Sequence, residues 1–277
     1  GDRLEVPVLE GADHRGLPGP APWRAADDGV RCPKRLAGVR QRRAQRDDAR
    51  ARQALGAADA VVGRTPWCRA APAAVVGTFE DRNLEAIAAL RPTLILRQAS
   101  AADAALDRAA PDARRFDCTL SSLDDVRAMV PALAQVLSAQ GIPGAPQAAV
   151  RIASEHAAAM AVPLRTRGPV LFLFSTDPPA AFGQGTFVDG LWTGLGGTNA
   201  IARPGYPELS AEDVVGMRPV AVVVVGTATV PAWLRDAVTV VPLDAACLLE
   251  PSTAMLVDGP RALASADAAI AARAGAP

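Results

Sequence analysis

The chain reads as an α/β protein built from two lobes of similar design, and three observations predict it. The first is the stretch from Asn83 to Leu96, N-L-E-A-I-A-A-L-R-P-T-L-I-L. Asn83 can cap a helix, Glu85 lies in the first turn where the helix dipole favours an anion, and Leu84, Ile87 and Leu90 form an apolar face at helical spacing. Pro92 cannot continue the helix, so Thr93 to Leu96 reads as a short buried strand. The second observation is that this unit returns from Ser210 as S-A-E-D-V-V-G-M-R-P-V-A-V-V, with Glu and Pro at one offset (212 − 85 = 127 and 219 − 92 = 127). The third is a set of short apolar runs between helix-like segments, such as Val170–Phe174 and Val220–Val225, which reads as buried parallel strands.

A chain of 277 residues suits one large domain or two ordinary ones, and with half its residues apolar it can bury real cores. Its 29 basic and 29 acidic residues cancel, which removes any bulk electrostatic case for nucleic acid or an anionic membrane. The arginines are unevenly placed, with many between Arg31 and Arg52. Cys32, Cys68, Cys118 and Cys247 form no C-x-x-C pair, so with only His14 and His156 beside them a zinc site is poorly supported. The longest apolar runs are strand-length, too short to span a bilayer. No signal peptide opens the chain, which is read as either a cytosolic protein or a mature or trimmed form of an exported one.

Residues 1–30 are rich in Gly, Pro and charge without periodicity and read as loop or disorder. Leu36–Val39 suggests a weak strand and Arg40–Leu55 a polar helix. Ala60–Gly63 reads as a strand running into the loop Arg64–Cys68, and Val75–Gly77 as another leading through Thr78–Asp81 into the Asn83 helix. Arg97–Ser100, a helix and the strand Arg115–Cys118 follow, and Ser121–Asp124 opens a further helix in capping-box fashion. After Gly141–Gly144 an Ala-rich helix runs from Pro146 to about Ala161, either a stiff connector between lobes or an ordinary packed helix. The second lobe opens with the strand Pro169–Phe174, whose carboxyl end runs into Ser175–Gly185, where ligand sites of parallel sheets gather. Phe187–Leu195 is a helix stopped by Gly196-Gly197, Val238–Pro242 a strand, Asp244–Ser252 a long loop and Gly259–Ala274 a terminal helix.

Recognisable catalytic patterns are missing. Gly183-Gln184-Gly185 lacks the third glycine and acidic residue of a dinucleotide fingerprint, and the sequence has neither a phosphate loop nor a G-x-S-x-G elbow. No spacing of carboxylates points to acid–base work, so the chain reads as a binder rather than an enzyme.

Several segments together resemble the substrate-binding proteins of ABC importers for metal chelates, the cobalamin and iron-siderophore binders above all. They are Ala60–Gly63 with its aromatic loop, Val75–Phe79, Asn83–Leu96, F-G-Q-G-T-F-V-D-G-L-W-T-G-L-G-G-T-N from Phe182, and Gly205–Glu212 with the strand after it, so the likeness covers roughly residues 55–265. It implies two Rossmann-like lobes with parallel sheets joined by a single long backbone helix. An N-terminal lobe at 31–143 would follow the segment 1–30, a connecting helix would lie at 144–166 and a C-terminal lobe at 167–277. It implies a periplasmic monomer, without cofactor or bound nucleic acid, that carries a corrinoid or ferric siderophore to the membrane permease. Glu85 and Glu212 match the family's permease-docking glutamates, one on each lobe. Trp67, Phe79, Phe182 and Tyr206 would meet the ligand through aromatic faces, which bury a wide area at little rotamer cost. Arg97, Gln98, Asp177 and Glu250 stand at strand ends as polar contacts. The arginine-rich text of residues 37–53 departs from the apolar first strand and helix of the family. Two other readings stay open. One is a metal-cluster or chelatase-like enzyme subunit on a related two-lobed scaffold, with Cys68 and Cys118 holding metal; the other is a degenerate member that no longer transports.

Overall fold

A computed structural model of the chain describes residues 55–66, 73–78, 81–98, 103–118, 120–249 and 251–274, with the Gln98 side chain outside them. The expected loop over 1–30 and nearly all of the strand and helix expected over 34–56 therefore lie outside the described residues.

In the N-terminal half the described strands are short and parallel. Strand β1 (Gly63–Arg64) pairs with β2 (Ala74–Val75), and β3 (Leu94–Gln98) with β4 (Arg114–Cys118). A longer β1 was expected from Ala60, but Ala58–Ala60 forms a 3-10 turn whose last hydrogen bond runs from the Val61 N–H to the Ala58 carbonyl. The ladder can begin only after that turn. Helices α1 (Leu84–Leu90) and α2 (Ala104–Ala109) close one side, through a cluster of Ile87, Leu106, Ala110 and Ala113.

The C-terminal half holds a five-stranded sheet in the order β6-β5-β8-β9, where β5 is Pro169–Thr176, β6 Pro179–Ala181, β8 Ala221–Val225 and β9 Val240–Leu243. Strand β7 (Thr198–Asn199) pairs with the start of β5, and only β6 runs antiparallel. Val170 and Phe172 of β5 and Val223 of β8 face a large core shared with α3 (Leu123–Ala139), α4 (Ala145–Met160), α5 (Phe187–Gly194) and α8 (Thr253–Ala274). Leu171, Leu173, Val222 and Val224 face the other way, onto α6 (Ala211–Gly216) and α7 (Ala232–Ala237) through Val214 and Leu234. Two apolar faces require two covering layers, so the sheet is sandwiched as in other α/β proteins.

The helix ends obey the local rules. Ser122 caps α3 and exchanges bonds with Asp125, a capping box. Helix α8 was expected to begin at Gly259 but starts six residues earlier and runs straight through Pro260. Met255 and Leu256 before that proline, and Leu263, Ala266 and Ile270 after it, bury one continuous apolar stripe, and this outweighs the local break.

The internal repeat is geometric as well as textual. Asn83 caps α1 by accepting from the Ala86 N–H, and Ser210 caps α6 by accepting from the Asp213 N–H. Each unit ends on an arginine in left-handed backbone, Arg91 at φ 46° and Arg218 at φ 47°, again 218 − 91 = 127 residues apart. The Arg91 N–H bonds the Ala88 carbonyl as the Arg218 N–H bonds the Val215 carbonyl. Left-handed backbone costs a non-glycine residue about 1–3 kcal/mol, and both halves of the chain accept it.

Helix α4 is a packed helix rather than a free rod. It buries Ala148, Ala149, Ile152, His156 and Ala159 against α3 and α8. His156, 8 % exposed, ties three helices together: its Nδ1 lies 2.6 Å from the Leu256 carbonyl of α8, and its Nε2 accepts from Nε of Arg127 on α3 at 3.0 Å. A carbonyl can only accept, so Nδ1 carries the proton and the ring is neutral. Farther along α8, Asp267 accepts from the Arg165 and Thr166 N–H groups at 2.9 and 2.7 Å and pins the link between α4 and β5.

Burial lowers the His156 pKa, Arg127 adds to this, and the bond to Leu256 opposes it. The unfolded chain therefore takes up this proton first, and the stabilising contribution is full above about pH 6.5 and lost as pH falls through the lower folded value. Urea unfolding between pH 7.5 and pH 5 is expected to show that loss, and His156→Gln to flatten it; an unchanged slope in the variant would assign the acid sensitivity elsewhere.

Candidate functional site

The carboxyl half of β5 carries the one large aromatic surface among the described residues. Phe174 on β5, Phe182 just past β6, Phe187 at the start of α5 and Tyr206 form a box with ring centroids 5.1 to 6.4 Å apart, mostly edge to face. Phe182 and Phe187 are 2 % and 3 % exposed, whereas Tyr206 is 37 % exposed. Phe174 is half-buried, so the tyrosine is the most exposed ring of the box and the phenylalanines pack around it. Burial pushes the Tyr206 phenol up, so it stays neutral at physiological pH.

The backbone beneath Tyr206 is closely fitted. Gly183 donates to the Gly205 carbonyl at 2.7 Å, Gln184 to Arg203 at 2.9 Å and Gly205 back to Gln184 at 3.1 Å. A Cβ on Gly183 would stand 2.1 Å from the Arg203 carbonyl oxygen, so this approach is open to glycine alone. The buried Asp189 of α5 accepts from the Gly185 N–H and from Asn199 Nδ2, both at 2.9 Å, while the same Asn199 amide donates to the Phe182 carbonyl at 2.9 Å. These bonds fix the loop from which the Tyr206 platform is made.

The carboxyl ends of β3 and β4 have a different character. Arg97 grips Asp117 with both prongs, Nε to Oδ1 at 2.7 Å and Nη2 to Oδ2 at 2.6 Å, and lies 3.5 Å from Asp103, which also pairs with Arg82. Only a tenth of the Arg97 side chain is exposed. The bond from Arg97 holds the Asp117 carboxyl below its usual range, and the Leu106 N–H does the same for Asp103, with Arg82 and Arg97 assisting against burial. Arg97 was expected at the ligand; its fork is instead filled by a carboxylate of its own sheet, directly across the β3–β4 register.

The other sequence candidates separate. Asp177 is exposed in the turn after β5, whereas Phe182 is core and reaches the surface through Tyr206. Trp67, Phe79 and Glu250 lie outside the described residues, as does the Gln98 side chain. Glu85 and Glu212 are exposed in the first turns of α1 and α6, and neither carboxylate has a hydrogen-bond or ion-pair partner among the described residues. In α6 the box with Ser210 is made by Asp213, leaving Glu212 without a local task.

Sequence reasoning passed over Phe174, Phe187, Asp189 and Asn199, although three of them stand in the F-G-Q-G-T-F-V-D-G-L-W-T-G-L-G-G-T-N segment. A polar pair at positions 189 and 199 inside so apolar a run was the available signal. Among the described residues no three His, Cys, Asp or Glu side chains gather as metal ligands. The Cys118 thiol donates to the Arg97 carbonyl at 3.5 Å, and burial, helped by Asp117, pushes its pKa up. Two cavities, one of about 480 Å³ between α3, α4 and α8 and one of about 510 Å³ beside Arg235 and Arg273, contain none of the candidate ligand-binding or docking residues.

A family model described as periplasmic binding protein matches residues 47–237. No curated protein matches the chain. Among solved structures, the periplasmic heme-binding protein RhuT from Roseiflexus sp. RS-1, in apo form, is 25% identical with a TM-score of 0.56, the match covering 80% of this chain and 96% of that one. The periplasmic vitamin B12 binding protein BtuF of Vibrio cholerae is 19% identical, with 81% and 95% covered and a TM-score of 0.58. The petrobactin-binding protein YclQ from Bacillus subtilis is 13% identical, with 80% and 89% covered and a TM-score of 0.60. At 19% and 13% identity these last two likenesses concern the fold.

Gly183→Ala is expected to open the ladder under Tyr206 and cost about 1–3 kcal/mol, the usual range for overpacking. Thermal unfolding measures it; an unchanged midpoint would mean that the 183–205 contact yields freely.

Proposed function

Because the chain belongs to the periplasmic binding protein family, we propose that it is the solute-binding component of an ABC importer and captures a metal chelate between its two lobes. The lobes are residues 31–143 and 167–277, joined through 144–166, and the protein works as a periplasmic monomer. No helix among the described residues is long and apolar enough to cross a membrane, which suits a carrier that hands its cargo to a separate permease. The similar structures bind heme, vitamin B12 and petrobactin, which supports a metal chelate as the cargo.

One observation carries the narrower reading: the exposed face of Tyr206, braced by three phenylalanines at the carboxyl end of a buried parallel strand. Such a face suits a broad macrocycle, which buries area against it without charge pairing. An anionic ferric chelate would want cations at the strand ends, and there Arg97 is spent on Asp117. A corrinoid is therefore the favoured cargo, with a ferric siderophore second. An enzyme subunit with metal on Cys118 is the weaker reading, because among the described residues no three His, Cys, Asp or Glu side chains gather as metal ligands.

Glu85 and Glu212 are the docking residues in this reading. They are exposed carboxylates at one position of a repeated unit, unengaged by their own chain among the described residues. A first-turn dipole contribution of about 0.3–1 kcal/mol is compatible with that role.

Two measurements test the proposal. Tryptophan fluorescence of the folded protein should be quenched on titration with cobalamin, and Tyr206→Ala should weaken binding about tenfold, or about 1.4 kcal/mol. Absence of quenching by cobalamin, heme and both hydroxamate and catecholate ferric siderophores would remove the transport reading. In a permease-dependent uptake assay, Glu85→Arg with Glu212→Arg should abolish transport at unchanged ligand affinity; a fall in affinity would place these residues in the cleft instead.

A further inference from the structure

The repeated helices carry a second matched pair of charges that docking through Glu85 and Glu212 leaves unused. Arg91 and Arg218 are the only non-glycine residues with positive φ among the described residues. Each stands before a proline, whose ring disfavours helical backbone in its predecessor, and glycine or asparagine is the usual occupant of such a helix end. The dipole of a helix C-terminus welcomes a cation in the last turn, yet it does not require the left-handed residue itself to supply it. Both halves of the chain nevertheless place an arginine there, exposed and without an ion pair or hydrogen-bonding side chain among the described residues.

Between glutamate and arginine the exposed positions also correspond. They are Ala88 and Ala89 in α1, and Val215 and Gly216 in α6, where Asp213 is exposed as well and pairs with Arg203. Each unit thus displays a carboxylate at one end and a guanidinium at the other, about 9 Å apart along the helix axis.

We propose that Arg91 and Arg218 are a second pair of docking points, each receiving a carboxylate of the permease that receives Glu85 and Glu212. This rests on the docking reading above. A pattern displayed twice by one chain fits a partner that offers its complement twice, as two copies of one subunit do. Opposite charges at the two ends also give each helix a direction, because a reversed approach would set like charges face to face.

The test is binding to the cognate ABC permease in lipid nanodiscs, with thermal unfolding and cobalamin titration run alongside. Arg91→Asn with Arg218→Asn should keep or raise the unfolding midpoint, since asparagine tolerates left-handed backbone, and should leave cobalamin affinity unchanged. Permease affinity should fall about tenfold in that variant, and about a hundredfold or more in Arg91→Glu with Arg218→Glu, with a weaker salt dependence. If Glu85→Gln with Glu212→Gln weakens docking while both arginine variants bind as the wild type does, the arginine pair is overturned and the glutamate docking stands. If none of the variants weakens it, the docking reading fails and takes this inference with it.

Discussion

Burial of β8 on both faces is the constraint from which the rest of the C-terminal half follows. Ala221 through Val225 are at most 1 % exposed, and none has a polar side-chain atom. Each buried valine contributes about 1.5–3 kcal/mol, but only if both sides of the strand are covered. One side is closed by α3, α4, α5 and α8, the other by α6 and α7. With both faces sealed, a ligand can reach the sheet only at the strand ends. The Tyr206 platform stands there because β6 and the loop after it fold back along β5, with the Phe182 N–H bonded to the Phe172 carbonyl.

Charge is distributed by the same logic of which groups are already satisfied. Asp103, Asp117, Asp125, Asp189, Asp213 and Asp267 each accept bonds from arginines, amides or helix N–H groups of their own fold. Glu85 and Glu212 do not, among the described residues. That contrast, within one chain and at matched positions, separates carboxylates that hold the structure from those that face outward. Arg97 belongs with the groups already satisfied, since its guanidinium is divided between Asp117 and Asp103.

His156 shows how far a neutral buried group can serve architecture alone. It belongs to no catalytic pattern, yet it joins α3, α4 and α8 with one acceptor and one donor bond. Asp267 does similar work farther along α8, holding the backbone that leads from α4 into the sheet. The segment between the two halves is thus anchored to the C-terminal helix at several points.

What the sequence determined by itself was local and periodic: the caps at Asn83, Ser122 and Ser210, the proline stops, the buried valine strand and the 127-residue repeat. These follow from hydrogen-bonding capacity, ring constraint and hydrophobic spacing within a few residues, so they are legible without a partner. The tertiary structure alone decided the rest of the site. Arg97 meets Asp117 only because β3 and β4 pair in that register, and Phe182 is core only because Phe174, Phe187 and Tyr206 close around it. Helix α8 crosses Pro260 only because a buried stripe on both sides outweighs the lost bond. Contacts between residues distant in the chain depend on how strands align and layers stack, and no local pattern encodes that alignment.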